Sequence, residues 1–246
     1  VFKLLENINS EVSNLDHEFS VIIVNDASTE AKPELSVNLE KLNSIKIINM
    51  KENRGHARCN AAGLKHIFEN EEFDYVIPMD GDGEDRPEEI SDFVEHINYD
   101  PNKAIVGERV KRSESIFFKL CYEFHKVLTF IFTGKSIKFG NFTCLPKLTV
   151  EKMINEKASW SSFSGALTKV ETDRSVIPSK RGARYFGPSK MSFTNLILHS
   201  LSIISVFKIN VLLRAILFLI VYIFLIHQNI SFITLVPVLF VVLLLI

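Results

Sequence analysis

The residues of this chain with the clearest capacity for chemistry form one acidic segment, Asp80-Gly81-Asp82-Gly83-Glu84-Asp85. It directly follows residues 73–79, FDYVIPM, an apolar run that predicts a buried strand. Carboxylates crowded at the end of a strand repel one another unless a positive charge neutralises them. A divalent cation, which prefers oxygen ligands, would supply that charge, and glycine lets the backbone approach such a ligand closely. The segment therefore predicts a cation site at the end of a strand.

Other interpretations of this acidic turn, residues 80–85, differ in strength. An EF-hand loop counted from Asp80 needs Gly at its sixth position and Glu at its twelfth, but the sequence has Asp85 and Ser91 there. A glycosidase pair needs two carboxylates several ångströms apart across the substrate, which so short a segment disfavours. A solvated acidic turn that caps the following helix stays open.

The elements around the acidic turn alternate between strands and helices. Such alternation with short links is typical of an α/β protein with a doubly wound, parallel sheet. Ligands of these sheets bind at the carboxyl ends of the strands, so the fold would place the acidic turn at the ligand edge. The predicted strands cover residues 19–25, 45–50, 73–79 and 104–107, the predicted helices cover 33–42, 55–70 and 87–97, and two longer amphipathic helices cover 112–133 and 191–207.

The composition separates a charged part of the chain from an apolar one. The chain has 246 residues, a formal net charge of −1 and 47% hydrophobic residues, and Arg214 is the only charged residue from Val211 to the last residue. This balance excludes a disordered chain and disfavours a general nucleic-acid binder, which usually carries a basic excess. The three cysteines are isolated, which excludes a disulfide scaffold and fits reduced, cytoplasmic thiols.

Two apolar segments, about residues 209–226 and 230–246, close the chain. Each is near the lower limit of the roughly 20 residues that a spanning helix needs, so we expect two transmembrane helices, with a buried core hairpin as the alternative. Lys208 and Arg214 lie on the side of the charged part, which the positive-inside rule places in the cytoplasm. The chain begins without Met inside a helical pattern and ends within an apolar run, and we expect a fragment truncated at both ends. The predicted regions are a soluble domain at 1–190, a juxtamembrane amphipathic helix at 191–208 and two transmembrane helices at 209–246.

Three segments of the sequence resemble motifs of the family 2 glycosyltransferases, which have the GT-A fold. Residues 21–28, VIIVNDAS, resemble the V-D-D-G-S segment, residues 53–63 resemble the N-x-G-x-A-R-x-N-x-x-G helix start, and Asp80-Gly81-Asp82 matches the D-x-D motif. The resemblance implies a Rossmann-like, mostly parallel sheet with flanking helices, followed by interfacial helices and a C-terminal transmembrane hairpin.

Two further segments resemble the polyprenyl-phosphate branch of that family, which includes the dolichyl-phosphate enzymes. Residues 105–109, IVGER, resemble its V-x-G-x-R segment, and residues 184–190, RYFGPSK, resemble its R-x-x-G-x-S-K motif. The sequence also departs from the family. Asn25 and Ala27 replace Asp and Gly in the first motif, Glu84 stands where Gln is common, and the usual first strand is missing.

The resemblance implies catalytic parts for the acidic turn. Asp82 and Glu84 would ligate Mg²⁺ or Mn²⁺, with Asp80 beside the metal or the ribose of the donor nucleotide. A metal ion held in this way offsets the charge of a departing diphosphate. Asp80 and Asp82 are therefore the predicted catalytic residues.

The resemblance also implies a nucleotide-binding set, which is Asp26, Ser28 and Arg58 together with Asp80. Asp26 lies at the end of the first predicted strand and Arg58 at the start of the following predicted helix. A helix cap for Asp26 and a surface salt bridge for Arg58 are the alternatives.

Basic residues gather before the apolar segments. We expect Arg109, Arg184 and Lys190 to clamp the phosphate of a lipid acceptor, since Arg suits bidentate phosphate contacts, and Ser189 to add a hydrogen bond. Attraction to anionic lipid headgroups explains the same cluster without a specific site.

Together these features predict an inverting glycosyltransferase of cell envelope glycan synthesis. It would move a sugar from a UDP- or GDP-sugar to polyprenyl phosphate at the cytoplasmic face of the inner membrane. A phosphate monoester has a second pKa near ~6, so it is largely dianionic at neutral pH and attacks without a general base. The rivals are a family 2 enzyme acting on a glycan or lipid hydroxyl, with Glu171 or Asp173 as its base, and a catalytically inactive membrane scaffold of the same fold.

Overall fold

The computed structural model describes residues 1–29, 39–111, 116–187 and 193–245. Most of the predicted helix at 33–42 lies outside these residues, and so do Ser189 and Lys190. Contacts divide the chain into two compact units, which are described separately. The first unit comprises Val1–Glu114 and Lys138–Met191, and the second comprises Ser115–Ile137 and Ser192–Ile246.

Strands of the first unit form two sheets within the described residues. In one sheet, β1 (Phe19–Asn25) pairs in parallel with β2 (Leu42–Asn49). The other sheet has the order β3-β5-β4-β6. Its strands are β3 (Tyr75–Val76), β4 (Ala104–Lys111), β5 (Phe139–Pro146) and β6 (Arg174–Lys180).

The strand directions agree with the predicted mostly parallel sheet in every described strand but one. β4 and β6 are parallel, but β5 runs antiparallel to both β3 and β4. β5 lies between β3 and β4, which both precede it in the chain. Its sequence, FGNFTCLP, has no run of β-branched residues, and so the apolar pattern did not predict it.

Helices of the first unit cover both faces of the four-stranded sheet. Neighbouring residues of β4 point to opposite faces: Val106 belongs to a core cluster with Leu64, Val150 and Leu167, whereas Ile105 belongs to a cluster with Phe93. A sheet buried on both sides is the α/β arrangement that the sequence predicted. The helices are α1 (Phe2–Glu11), α2 (His56–Asn70), α3 (Ile90–Ile97), α5 (Lys147–Asn155) and α6 (Phe163–Val170), with 3₁₀ turns at Val12–Asn14, Pro87–Glu89 and Lys157–Trp160.

The elements that border the acidic turn follow the sequence closely. β1 has the predicted bounds, and α2 begins one residue after the predicted start at 55. The third strand is much shorter than predicted, because only Tyr75 and Val76 pair with β5. The rest of this apolar run leaves the ladder and leads into the acidic turn, after which Pro87 begins the 3₁₀ turn before α3.

The second unit consists of helices. Phe132, Ile204 and Val211 form a small core between α4, α7 and α8. Among the described residues, α8 is the one helix that is long and apolar enough to span a membrane, with 19 residues and a mean hydropathy of 2.7. The second apolar segment forms a helix of 14 residues. The helices are α4 (Ile116–Thr133), α7 (Phe193–Val206), α8 (Lys208–Ile226) and α9 (Phe232–Leu245).

Candidate active site

Hydrogen bonds within the acidic turn fix its backbone. The backbone N–H of Asp80 donates to Oδ2 of Asp85 over 2.9 Å, and that of Glu84 donates to Oδ1 of Asp82 over 2.9 Å. Gly83 has φ of 89°, a left-handed conformation that favours glycine. Two carboxylates of the turn therefore hold its own backbone.

The side chain of Asp80 meets two other elements. Nδ2 of Asn141, on β5, donates to Oδ1 of Asp80 over 3.1 Å. Nδ1 of His56, the first residue of α2, lies 3.4 Å from the same oxygen. The sequence analysis identified neither partner. His56 lies inside the 53–63 motif, which was a usable signal, but Asn141 lies on the strand that was not predicted.

A basic loop, residues 181–187, lies against the acidic turn. Arg181 and Arg184 pair with Glu84, and Nη2 of Arg184 lies 3.2 Å from Oδ2 of Asp82. The backbones also join, because the N–H of Gly182 donates to the carbonyl of Glu84 over 2.8 Å. The basic loop thus supplies the positive charge that the crowded carboxylates require. Arg184, expected at an acceptor phosphate, contacts the predicted metal ligands.

The close approach of the basic loop to the acidic turn explains why residue 182 is a glycine. A Cβ at Gly182 would lie 2.7 Å from the carbonyl oxygen of Gly83, too close for any side chain. The ring of Tyr185 packs on Gly83, and its hydroxyl accepts a hydrogen bond from Asn7 of α1 over 2.7 Å. Helix α1 therefore holds the basic loop on the acidic turn.

Some carboxylates of the acidic turn, but not all of them, are suited to bind a divalent cation. Asp80 and Asp82 keep 24% and 28% of their side-chain surface exposed. The described residues contain no group of three or more His, Cys, Asp or Glu side chains arranged to hold a metal ion. Mg²⁺ is commonly bound by one or two carboxylates, with substrate phosphates and water as its other ligands. Asp80 and Asp82 suit that kind of site, whereas both oxygens of Glu84 face arginines.

Asp85, the last residue of the acidic turn, lies close to Arg109. The Asp85 side chain is buried, and its Oδ1 lies 4.0 Å from Nη2 of Arg109 on β4. Burial raises the pKa of Asp85 to about 7, and the charge of Asp80 adds to the rise, although Arg109 opposes it. Of the predicted phosphate-binding residues, Arg109 and Arg184 therefore meet at one acidic turn. Ser189 and Lys190 lie outside the described residues.

Asp26 joins the end of β1 to the start of α2. Its Oδ1 accepts from the N–H of Arg54 over 2.7 Å, and its Oδ2 accepts from the N–H of Gly55 over 2.9 Å. Burial acts to raise the pKa of Asp26, but these two hydrogen bonds and one from the thiol of Cys59 outweigh it and lower the pKa. Both carboxylate oxygens of Asp26 thus accept hydrogen bonds from the backbone just before α2. This arrangement resembles the helix cap that the sequence analysis gave as the alternative role of Asp26.

Ser28 and Arg58 lie beside this junction. The N–H of Ser28 donates to Oδ1 of Asn25 over 3.1 Å. Nη1 of Arg58, which is exposed, donates to the carbonyl of Arg54 in the preceding turn over 3.3 Å. The predicted nucleotide-binding residues therefore cluster at the carboxyl end of β1, and His56 connects that cluster to Asp80.

The alternative general bases lie at the other end of the sheet. Glu171 pairs with Lys152 over 3.0 Å, and Asp173 pairs with Lys103 over 3.1 Å. Both residues precede β6, whereas the basic loop follows it. A strand of seven residues, at ~3.3 Å per residue, separates the two ends by roughly 20 Å. Neither carboxylate reaches the acidic turn. Glu171 and Asp173 are therefore too far from the acidic turn to serve as the general base in the alternative with a hydroxyl acceptor.

Comparison with known proteins shows which family the chain belongs to. The family model described as Glycosyl transferase family 2 matches residues 3–154, more than half of the chain. The chain belongs to glycosyltransferase family 2. The family match includes β1, α2 and the acidic turn, and membership implies the GT-A fold. The basic loop lies beyond the matched residues, so its assignment to this family 2 site depends on its contacts with Asp82 and Glu84.

Relatives with curated names resemble a larger part of the chain. A protein from Klebsiella pneumoniae (strain 342), named undecaprenyl-phosphate 4-deoxy-4-formamido-L-arabinose transferase, is 27% identical over 203 residues, which are 79% of this chain and 59% of the relative. A protein of the same name from Salmonella choleraesuis (strain SC-B67) is 27% identical over 202 residues, with the same shares of both chains. This family 2 chain therefore spans about 59% of the length of these relatives.

Proposed function

We propose that the chain is part of an inverting glycosyltransferase that moves one sugar from a nucleotide-sugar donor, a UDP- or GDP-sugar, to polyprenyl phosphate. The observation that carries this proposal is the meeting of two charge sets. Within the acidic turn, the carboxylate of Asp82 lies beside Arg184 and that of Asp85 lies 4.0 Å from Arg109, at the carboxyl ends of the strands. Transfer between a diphosphate leaving group and a phosphate nucleophile needs both sets. The names of the relatives support the acceptor class.

In this proposal the acidic turn and the residues at the end of β1 bind the nucleotide-sugar donor. Asp80 and Asp82 would hold Mg²⁺ or Mn²⁺, which when bound neutralises the diphosphate leaving group as the bond to the sugar breaks. Asp26 keeps the 53–55 loop against β1, where we place the base and ribose of the nucleotide together with Ser28 and Arg58. Glu84 would assist mainly by holding Arg181 and Arg184.

In this proposal two arginines bind the acceptor. Arg109 and Arg184 would bind the phosphate of the lipid and aim one of its oxygens at the anomeric carbon. A dianionic phosphate needs no proton removed before it attacks, which agrees with the distance of Glu171 and Asp173 from the acidic turn. Attack from the face opposite the leaving group inverts the anomeric centre. Ser189 and Lys190 follow the basic loop in sequence and would extend the same phosphate site.

The second unit would anchor the enzyme in the membrane. Helix α8 has the length and hydropathy of a span, and we propose that α9 completes a second pass. Lys208 and Arg214 near the start of α8 favour a cytoplasmic position for the catalytic unit. A polyprenyl acceptor dissolves in the bilayer and presents its phosphate at the membrane surface.

The experiment that tests the proposal is an acceptor assay with the protein in native membranes. Membranes would be incubated with Mn²⁺, undecaprenyl phosphate and a panel of labelled UDP- and GDP-sugars. We expect label that partitions into organic solvent, depends on added undecaprenyl phosphate and is released by mild acid, as a sugar phosphodiester is. Label in an acid-stable glycan or glycolipid supports the hydroxyl-acceptor alternative. No product and no Mn²⁺-dependent nucleotide binding supports the inactive scaffold.

Asp82→Asn provides the sharpest variant for this assay. The substitution keeps an oxygen to accept the N–H of Glu84 but removes the charge that would face a metal ion. We expect turnover to fall by about 10²-fold or more, since removal of one electrostatic stabiliser has that effect. The matched control is Asp92→Asn, which removes an exposed carboxylate on α3. Equal turnover of both variants and the unchanged protein would remove Asp82 from the proposed site.

A further inference from the structure

Asn141 is a buried polar residue on the strand that the sequence did not predict. Its side chain is 4% exposed, and β5 is buried at every position from Asn141 to Pro146. A buried amide is costly unless it is hydrogen-bonded. Its Nδ2 donates to Oδ1 of Asp80, a residue 61 positions earlier in the chain. A strand that is buried over most of its length therefore contacts the side chain of a proposed catalytic residue.

Asp80 is held at two separate places. Its backbone N–H donates to Asp85 within the acidic turn, which sets the path of the chain. Its carboxylate is held by Asn141 and approached by His56 at 3.4 Å. Loss of Asn141 would thus leave the turn intact and change only how the carboxylate is oriented.

The amide suits this position for an electrostatic reason. Asp82 and Asp85 already surround Asp80 with negative charge, and a further carboxylate would add repulsion. A positive side chain would compete with a divalent cation for Asp80. An uncharged donor on a buried strand orients the carboxylate and leaves its charge available to a ligand.

We infer that Asn141 is a positioning residue that fixes the Asp80 carboxylate for the metal-bound diphosphate of the donor. The inference rests on the proposed function of the acidic turn. It assigns to β5 a part in the donor site that no sequence motif covers. Residues that orient a metal ligand commonly change metal affinity or activity by about 10- to 100-fold when replaced.

The test compares Asn141→Leu with Thr143→Val in the full chain. Leu keeps the branched shape of Asn without its donor. Thr143 lies two residues along the same strand, is fully buried and donates to the carbonyl of Asn141. Its replacement by Val removes a buried polar group of β5 without removing a donor to Asp80. Mn²⁺ binding is measured by electron paramagnetic resonance, in the presence of UDP and separately of GDP, and kcat and KM are measured in the acceptor assay.

We expect Asn141→Leu to weaken Mn²⁺ binding by about 10-fold or more and to lower kcat, with the KM for undecaprenyl phosphate unchanged. Thr143→Val should bind Mn²⁺ as the unchanged protein does. If Asn141→Leu does not fold, Asn141→Ala, which adds no volume, is measured in the same way. Equal Mn²⁺ affinity in the Asn141 variant and the unchanged protein overturns the inference alone. Equal weakening in both strand variants also overturns it, since the effect is then structural. No Mn²⁺ binding by the unchanged protein with either nucleotide overturns the proposed donor site as well.

Discussion

Arg184 forms ion pairs with two carboxylates of the acidic turn, although its proposed ligand is the acceptor phosphate. Its Nη2 lies 3.2 Å from Asp82, and its Nε lies 3.2 Å from Glu84. A metal ion at Asp82 would take over the neutralisation of that carboxylate. Arg184 would then be available to a phosphate dianion, so donor binding would prepare the acceptor site.

Arg184→Ala tests this assignment by its effect on each substrate. We expect the KM for undecaprenyl phosphate to rise by about 10-fold, since a charge-assisted contact contributes roughly 1.5–3 kcal/mol, while Mn²⁺-dependent nucleotide binding stays within about twofold. The control is Lys152→Ala, which breaks an ion pair with Glu171 at the opposite end of β6. A selective loss of nucleotide binding in Arg184→Ala contradicts the acceptor role.

Ala27 occupies a backbone conformation that usually favours glycine, with φ of 52°. The left-handed region costs an ordinary residue roughly 1–2 kcal/mol, whereas a glycine enlarges the entropy of the unfolded chain by about 0.4–1 kcal/mol. We expect Ala27→Gly to raise the free energy of unfolding by about 0.5 kcal/mol, or Tm by about 1–2 °C. Ala62→Gly, inside α2, should lower the free energy of unfolding by about 1 kcal/mol. Thermal unfolding that shows equal losses for both variants contradicts the strain at Ala27.

Single elements show how far sequence reasoning reaches. β1 and α2 were predicted with nearly correct bounds because their signals are local: a β-branched run, FSVIIVN, and a helix with its own start motif. β5 was missed because its place depends on pairing with β4, where Cys144 lies opposite Ile105. Local sequence patterns therefore could not predict that Asn141 lies at the site. The pairing of Arg184 with Asp82 also joins distant parts of the chain, and the motifs named both residues without indicating their contact.

Helix α8 carries Arg214 within an otherwise apolar sequence. Its Nη1 donates to the carbonyl of Ile131 at the end of α4 over 3.3 Å, and a Cβ at Gly134 would lie 2.9 Å from its Cζ. The C-terminal carbonyls of a helix carry partial negative charge, which a cation stabilises. Arg214 therefore joins α8 to the end of α4.

Arg214→Leu separates this contact from simple hydropathy. The substitution makes α8 more apolar, yet we expect the free energy of unfolding in detergent to fall by about 1 kcal/mol, because the last turn of α4 loses its cation. Tm would fall by about 2–4 °C. Leu213→Ala, at a neighbouring exposed position of α8, serves as the control and should change Tm much less. An unchanged or higher Tm for Arg214→Leu would show that the contact is not stabilising.

The molecule as a whole has a first unit that carries the acidic turn and the basic loop, and a helical second unit with a candidate span. In the first unit, the acidic turn has hydrogen bonds of its own, cations from the basic loop and a further cation at Arg109. None of these contacts requires a metal ion. We therefore expect the proposed ion to take part in the reaction without holding the fold together.

Removal of divalent ions should therefore separate activity from stability in the intact chain. We expect EDTA to abolish sugar transfer while Tm stays where it was, because Arg181 and Arg184 continue to neutralise Glu84 and Asp82. Mn²⁺ added back with UDP or GDP, at 100 times its dissociation constant, should stabilise the folded state by about 2.7 kcal/mol, since a ligand bound only by the native state does so by mass action. Calorimetry and the acceptor assay on the same samples measure both effects. Unfolding of the first unit in EDTA would show that the ion holds the acidic turn together, and the arginines would then be insufficient to balance its charge.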